Sequence, residues 1–349
     1  MKKIIGNELA FKTFSWMKVN DVEITVPEIG KDLIPYPSSE KHVRHLKEFD
    51  NLRYGVSKEA LELNRKDMNL YRIYEAIGGE DIKFKPCYFK TDDENVNLVD
   101  LQDIIAHEDS KIKVFLDYYS EGNKEKFRNT VIRILAEKNA EVELFVIQRE
   151  GPESKSLESI GIYCHDGAKV HVSQYEIGAG KLYLNYKCEL KGKESQSYVD
   201  SVYFGKGDEE LNIYYEMTHL GEKTKSDILV NGALKDRAFK NFKSNLDFKE
   251  GCNDAVGSEE EYTVLLSDDV HSLSVPLMLA HEDDIEGNHA SSAGKIDPDI
   301  LFYIMSRGIS YEDAEALIIE SKFSGAIDKL MDEELEEEVW NSIKKIITR

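Results

Sequence analysis

The chain has 349 residues, 41% of them hydrophobic and 32% charged, the balance of a soluble globular protein with room for one large core. Its formal net charge of -22 repels phosphate backbones, and no Lys/Arg cluster interleaved with aromatics offsets it, so nucleic acid is not an expected partner. No run approaches the roughly 18 apolar residues of a membrane span, and the start, Met1-Lys2-Lys3-Ile4-Ile5-Gly6, has no continuous apolar stretch behind its two lysines, so neither a membrane span nor a secretory signal is expected.

Four cysteines, Cys87, Cys164, Cys188 and Cys252, form no C-x-x-C pair and are too sparse to staple the chain. They read as thiols of a reducing cytoplasm, and their spacing excludes a prebuilt zinc knuckle or ferredoxin-type site. The acidity itself is either a solubility device or a lure for cations or a basic partner.

In chain order, Pro35 and Pro37 mark a loop. A helical pattern then runs from Ser57, a capping residue, through Ala60, Leu61, Met68, Leu70 and Ile73 to a stop at Gly78-Gly79. Residues 1–79 are thus expected to be an N-terminal helical region. From 80 to 295 the texture is short strands, with a helical interlude predicted over Gly122 to Ala140 from the spacing of Phe127, Val131, Leu135 and Ala136. Ile160, Ile162 and Cys164 share one strand face. Leu182, Leu184, Tyr186, Cys188 and Leu190 share a second, and Leu211, Ile213, Tyr215, Met217 and His219 a third. Strands recurring every ~10–15 residues with almost no helix between them fit a sandwich or a solenoid of stacked coils. Hairpin dipeptides are scarce, only Asn231-Gly232 and Asp166-Gly167, which favours the solenoid. Residues 296–349 are expected to be helical. Asp297-Pro298 opens a helix that Gly308 ends, and Ser310 with Asp313 caps the next. Leu335, Val339, Ile343 and Ile347 form an apolar stripe that suits either the protein's own core or a partner.

Three segments together resemble the SufB/SufD family of iron–sulfur cluster assembly proteins. One is His281-Glu282-Asp283-Asp284-Ile285-Glu286-Gly287-Asn288-His289-Ala290-Ser291-Ser292-Ala293-Gly294, leading into Leu301-Phe302-Tyr303-Ile304-Met305-Ser306-Arg307-Gly308-Ile309. Another is His219-Leu220-Gly221-Glu222-Lys223-Thr224-Lys225-Ser226, which looks like an H-x-G-x-x-T-x-S turn. The third is Cys188-Glu189-Leu190-Lys191-Gly192, at about the distance before His219 where SufB proteins carry their sulfur-accepting cysteine. The resemblance implies a right-handed parallel β-helix core over 80–295, with helical N- and C-terminal subdomains. It implies a transient iron–sulfur cluster and a SufC-type ABC ATPase docking on the C-terminal helices through Phe302, Tyr303, Arg307 and Gly308. It also implies pairing of family members through their β-helices and a cysteine desulfurase system as the sulfur donor.

The subtype pattern departs from both standards. Tyr262 stands where SufB proteins usually have a second functional cysteine, Asn288-His289-Ala290 replaces Glu-His-Glu, and Gly287 replaces the SufD cysteine. The sequence is therefore similar to compact single-scaffold members, in which one SufB-like protein works with the ATPase. Cys188, in phase with Leu184 and Tyr186, points inward; it is either a small buried hydrophobe or, as the resemblance implies, the thiol that takes sulfur and helps hold the cluster. His289 suits iron through a neutral imidazole, with Asp284 and Glu286 as hard oxygen donors beside it, and the same carboxylates also suit a solvated turn. His219 is expected to be structural, hydrogen-bonded at a coil corner. Cys164 and His165, being adjacent, point to opposite strand faces and do not chelate together.

Two competing functions stand beside this one: a SufD-like interaction subunit without its own cluster, and a β-helix carbohydrate-active enzyme using Asp283 and Asp284 as acid and base. No G-x-x-x-x-G-K-[ST] motif occurs, so the chain is expected to be a scaffold and ATP hydrolysis to reside in the partner. A shared site is expected to need two chains, giving a homodimer or a heterodimer with a SufD-like protein.

Overall fold

The computed structural model describes residues 1–12, 15–29, 33 and 42–347; the expected loop at Pro35 and Pro37 lies outside them. Inward apolar residues alternating with outward ones build strands of about ten residues, and these stack into a β-solenoid. From Asn97–Ala106 onward, successive strands alternate between two parallel sheets. The first sheet runs from Leu70–Ala76 to His271–Ala280, and the second from Asp81–Lys83 to Ile285–Lys295. Lys181 pairs with Glu210 and Glu210 with Phe239, one coil every 29 residues. The interior is a continuous apolar column that includes Ile132, Ile160, Leu184, Ile213 and Phe242.

One corner repeats down the whole solenoid. Asp109, Asn139, Gly167, Glu194, Lys223 and Asp254 all adopt positive φ there. Each donates its backbone N–H to a carbonyl of the next coil: Asn139 to Asp166 at 2.8 Å, Gly167 to Lys193 at 2.9 Å, Glu194 to Glu222 at 2.8 Å. The left-handed conformation is strained for an L residue, and the inter-coil ladder satisfies the backbone it turns outward. Of the two supposed hairpin dipeptides, Asp166-Gly167 is one of these corners. Asn231-Gly232 lies inside the strand Lys225–Leu234, where a Cβ on Gly232 would fall 1.9 Å from the Tyr203 ring.

Two expected helices are corrected. The helix Lys58–Asp67, capped by the Ser57 side chain, ends at Met68, whose backbone is extended, and Leu70–Ala76 is the first strand of the first sheet. Gly122 to Ala140 holds no helix: Lys126–Ala136 is a strand of the first sheet. The reason is geometric. Spacings of four residues are even, so Phe127, Val131 and Leu135 share one strand face as well as one helix face. Here that face is outward and covered by the N-terminal region, while Ile132, Ile134 and Ala136 line the interior. A strand buried on both faces reads as a continuous apolar run.

The flanks clothe the two sheets. An antiparallel hairpin, Lys2–Gly6 with Val22–Val26, and the helix Lys58–Asp67 cover the first sheet. Asn64 fixes the helix by donating to the carbonyls of Asp100 and Asn129 at 2.9 and 2.8 Å. The helices Tyr311–Ile327 and Glu333–Ile347 cover the second sheet. The stripe Leu335, Val339, Ile343 and Ile347 packs on Phe115, Phe145, Tyr175 and Phe204, so it serves the protein's own core.

Candidate functional site

Cys188 sits on the strand Lys181–Leu190 and is fully buried. Its neighbours in register are Ile162 and Met217, and the row continues through Leu246 to Met278. This is an apolar environment. On the neighbouring strand, Cys164 is equally buried, and the two Sγ atoms lie 4.0 Å apart. Contact with Cys188 and burial hold the Cys164 thiol well above its ordinary range. Cys164 carried no functional expectation; the structure makes it the neighbour of the thiol that did.

His219 follows in the same column. Its Nδ1 is 2.8 Å from Thr224 Oγ1 and its Nε2 2.9 Å from Ser226 Oγ, and its ring stacks on Phe248 at 4.6 Å. Burial lowers its pKa to about 3, so the imidazole is neutral. At Gly221 a Cβ would stand 2.4 Å from the Gly192 carbonyl of the coil below. The H-x-G-x-x-T-x-S pattern is therefore a corner staple: His bonds both Thr and Ser, and Gly permits the coils to touch.

His289 lies on the terminal strand Ile285–Lys295, in phase with Ile285 and Gly287, beside Glu259 in register. That phase faces the solenoid interior, but no further coil covers it and His289 is exposed. Burial pushes the Glu259 carboxyl up to about 7. Next to it, Glu261 is the hub of a buried polar cluster. Lys240 Nζ donates to it at 2.5 Å, Tyr203 Oη at 3.2 Å, Ser274 Oγ at 2.5 Å and Ser291 Oγ at 2.9 Å.

The expected ligands are not brought together. Three strand spacings separate the Cys188 strand from the last strand of the first sheet, roughly 14 Å along the axis, while metal–thiolate bonds are about 2.3 Å. Cys188 and His289 therefore do not share one small cluster within this chain. Glu286 alternates with Ile285 and Gly287, so it is out of phase with His289, and Asp284 lies on the exposed corner before the strand. Asp283 is exposed on the same corner. Among the described residues, no group of three or more His, Cys, Asp or Glu side chains is arranged to hold a metal ion. Tyr262 faces outward, 41% exposed, its hydroxyl donating to Glu260 at 2.8 Å.

A second interior cluster was missed in the sequence. Arg128, wholly buried, donates to Glu150 at 2.9 Å and Glu158 at 3.0 Å, with Asp100 and Glu176 close by and all four carboxylates buried. Burial raises the carboxyls of Asp100, Glu158 and Glu176. The alternation that puts Ile160, Ile162 and Cys164 on one face puts Glu158 there as well, and that was the available signal.

The helix Pro298–Met305 stands apart from the core. Asp297 caps it, accepting from Asp299 N at 2.9 Å, and it buries no residue. Phe302 and Tyr303 are 74% and 59% exposed. The Arg307 guanidinium lies over the Tyr303 ring at 4.8 Å and donates to its hydroxyl at 2.6 Å. Gly308 follows with φ of 87°. Among the described residues, no helix is long and apolar enough to cross a membrane.

Comparison with known proteins gives consistent matches. A family profile described as "SUF system FeS cluster assembly, SufBD core domain" matches residues 89–322. The chain is 30% identical over 156 residues to the iron-sulfur cluster assembly protein SufD of Bacillus subtilis (strain 168), covering 45% of this chain and 36% of that protein. It is 25% identical over 240 residues to the iron-sulfur cluster assembly protein SufB of the same organism, covering 67% of this chain and 50% of that one. A SufBD family protein of Staphylococcus epidermidis (strain ATCC 12228 / FDA PCI 1200) matches at 24% over 240 residues, with the same coverage. The chain spans about half the length, or less, of these curated relatives.

Proposed function

Since the chain belongs to the SufBD family of iron–sulfur cluster assembly proteins, we propose that it is a scaffold of that system, SufB-like and of the compact single-scaffold type. In this reading it accepts sulfur at Cys188 and iron at the open end of the solenoid. The cluster is cargo, built and passed on. The observation that carries the reading is the placement of Cys188: an inward thiol, fully buried, in a column that runs without interruption to the open end where His289 lies. A persulfide formed there is shielded from solvent thiols.

Each feature has a role in this scheme. An imidazole nitrogen of His289 binds ferrous iron, and the exposed carboxylates of Asp284 and Glu286 draw the cation to the rim. The apolar row Met217, Leu246 and Met278 keeps Cys188 closed off from His289. Sulfur delivery therefore requires the solenoid to open, and a SufC-type ABC ATPase on the helix Pro298–Met305 supplies that work. ATP hydrolysis belongs to this partner, and a cysteine desulfurase system supplies the sulfur.

Anaerobic assembly with ferrous iron, a cysteine desulfurase acting on cysteine as the sole sulfur source, and the ATPase with ATP, followed by visible absorption, tests the proposal. Wild-type chain should develop cluster absorption, Cys87→Ser should match it, and Cys188→Ser should lose it while keeping the wild-type circular dichroism. Full cluster yield in Cys188→Ser would remove that thiol from the mechanism. A second reading, a SufD-like subunit without its own cluster, draws on the outward Tyr262 at the place of the second SufB cysteine. It predicts no cluster in any of these samples.

A further inference from the structure

Cys164 and Cys188 form a contact pair of free thiols in the closed interior. Their Sγ atoms are 4.0 Å apart, both residues are fully buried, and they lie on inward positions of adjacent strands, Cys188 beside Ile162 and Cys164 beside Leu190. Sulfur carried as a persulfide is at the oxidation level of elemental sulfur, while a cluster incorporates sulfide. Two electrons per sulfur atom are needed, and two thiols in contact hold that number between them.

We propose that Cys164 is a resolving thiol that reduces the sulfur held on Cys188 to sulfide. The inference rests on the reading that Cys188 accepts sulfur. In the step, the terminal sulfur of the Cys188 persulfide takes the proton of the Cys164 thiol. Cys164 Sγ then bonds to Cys188 Sγ, and the bond from Cys188 Sγ to the terminal sulfur breaks, its electron pair leaving with HS⁻. The two cysteine sulfurs are oxidised to one disulfide and the terminal sulfur is reduced to sulfide. The Sγ atoms close from 4.0 Å to about 2.05 Å; the two residues are diagonal in register, so closure takes side-chain rotation and a slide of one strand along the other. An external thiol reductant restores the pair when the solenoid next opens, so Cys188 cycles between carrier and disulfide. Two neighbouring cysteines acting only as small core hydrophobes would show none of this chemistry.

The test loads the full chain, together with its ATPase and ATP so that the solenoid opens, with sodium tetrasulfide under anaerobic conditions without added thiol, desalts it, and follows sulfide release and intact and peptide masses after alkylation. Wild type should release about one sulfide per chain and end with a Cys164–Cys188 disulfide. Cys164→Ser and Cys164→Ala should retain the added sulfur on Cys188 and release none, until dithiothreitol is supplied. Cys87→Ser should behave as wild type. If wild type keeps its persulfide on Cys188 as stably as the Cys164 variants do, or passes it to Cys164 without releasing sulfide, the resolving role is overturned while sulfur acceptance stands. If Cys188 takes up no sulfur even in the Cys164 variants, the acceptance reading itself fails. The wild-type measurement decides between these even where a Cys164 variant does not fold.

Discussion

At the scale of single residues, His219 shows how a family motif converts into an acid sensitivity. Its folded pKa is about 3, depressed by burial, against about 6.5 in the unfolded chain. A depressed histidine leaves the folded state neutral while the unfolded state gains a proton. Its contribution is therefore fully present above pH ~6.5 and is lost as the pH falls toward 3. At pH 5 the loss is about 2 kcal/mol. Glu259, raised to about 7, acts in the opposite sense: its neutral form suits the folded state, so it costs stability as the pH rises from ~4.5 toward 7. The two slopes overlap in the wild type, and only a difference isolates the histidine. His219→Gln keeps a neutral amide within reach of Thr224 and Ser226, and its Tm relative to wild type should rise as the pH falls from 6.5 to 4.5, whatever its stability at pH 8. Parallel Tm profiles for the two proteins would show that His219 is not the sensing group. The inward direction of Cys188 and the corner role of His219 were legible in the sequence because both follow from alternation and a local motif. The contact with Cys164 was not: it joins residues 24 apart, and its register depends on the length of one coil. The buried Arg128 cluster and the Glu261 hub were hidden for another reason. Charged residues at inward phases contradict the usual rule of burial, and only partners on neighbouring coils satisfy them.

At the scale of elements, strands were read well where one face is polar and poorly where both faces are covered. Lys126–Ala136 and Leu70–Ala76 are clothed outside by the N-terminal region, and the sequence of each also fits a helix. The C-terminal elements were clearer because caps punctuate them: Asp297 and Ser310 accept the bonds their positions suggest. Their division of labour came only from the tertiary packing. The helices Tyr311–Ile327 and Glu333–Ile347 belong to the core of the second sheet, so removing residues 296–349 to test ATPase docking would uncover Phe115, Phe145 and Phe204 and unsettle the solenoid. Point substitutions on Pro298–Met305 are cleaner, since that helix buries nothing. A capped helix presenting Phe302 and Tyr303, the latter braced by Arg307, has the form of an interface anchor. Phe302→Asp should leave Tm within about 1 °C, as an exposed surface change does. It should weaken association with the ATPase by roughly 2 kcal/mol, ~30-fold, if Phe302 is a central contact. Calorimetric titration of the ATPase into each variant reads this directly, and equal affinity for wild type and Phe302→Asp would place the dock elsewhere.

At the scale of the whole molecule, the two ends of the solenoid differ. The last coil, His271–Ala280 and Ile285–Lys295, leaves the final strand of each sheet with a free edge, and its residues are largely exposed. Free edges of this length are templates for pairing with another chain. The exposed run Ala290-Ser291-Ser292-Ala293-Gly294 carries small side chains that permit close approach. Among the described residues of one chain no set of ligands is gathered near His289, while a cluster needs typically four. A second copy applied to the same edge would bring a second His289 and a second acidic rim to the junction, and two-fold symmetry makes the contact closed. We therefore expect a homodimer joined through this coil, with one ATPase on each exposed helix Pro298–Met305 and nucleotide turnover working on the junction between them. Light scattering should give about twice the 39.9 kDa chain mass for the protein alone, and that mass plus two ATPase subunits for the complex. Ala290→Pro removes a backbone donor from the edge strand and should yield a monomer with unchanged circular dichroism that builds no cluster. A wild-type chain that stays monomeric in both samples would refute the shared junction. Dimerisation only on adding a SufD-like protein would keep the geometry but replace the second copy. If Ala290→Pro remains dimeric, the pairing lies on the other sheet's terminal strand, where Leu273 is the exposed apolar residue to substitute next.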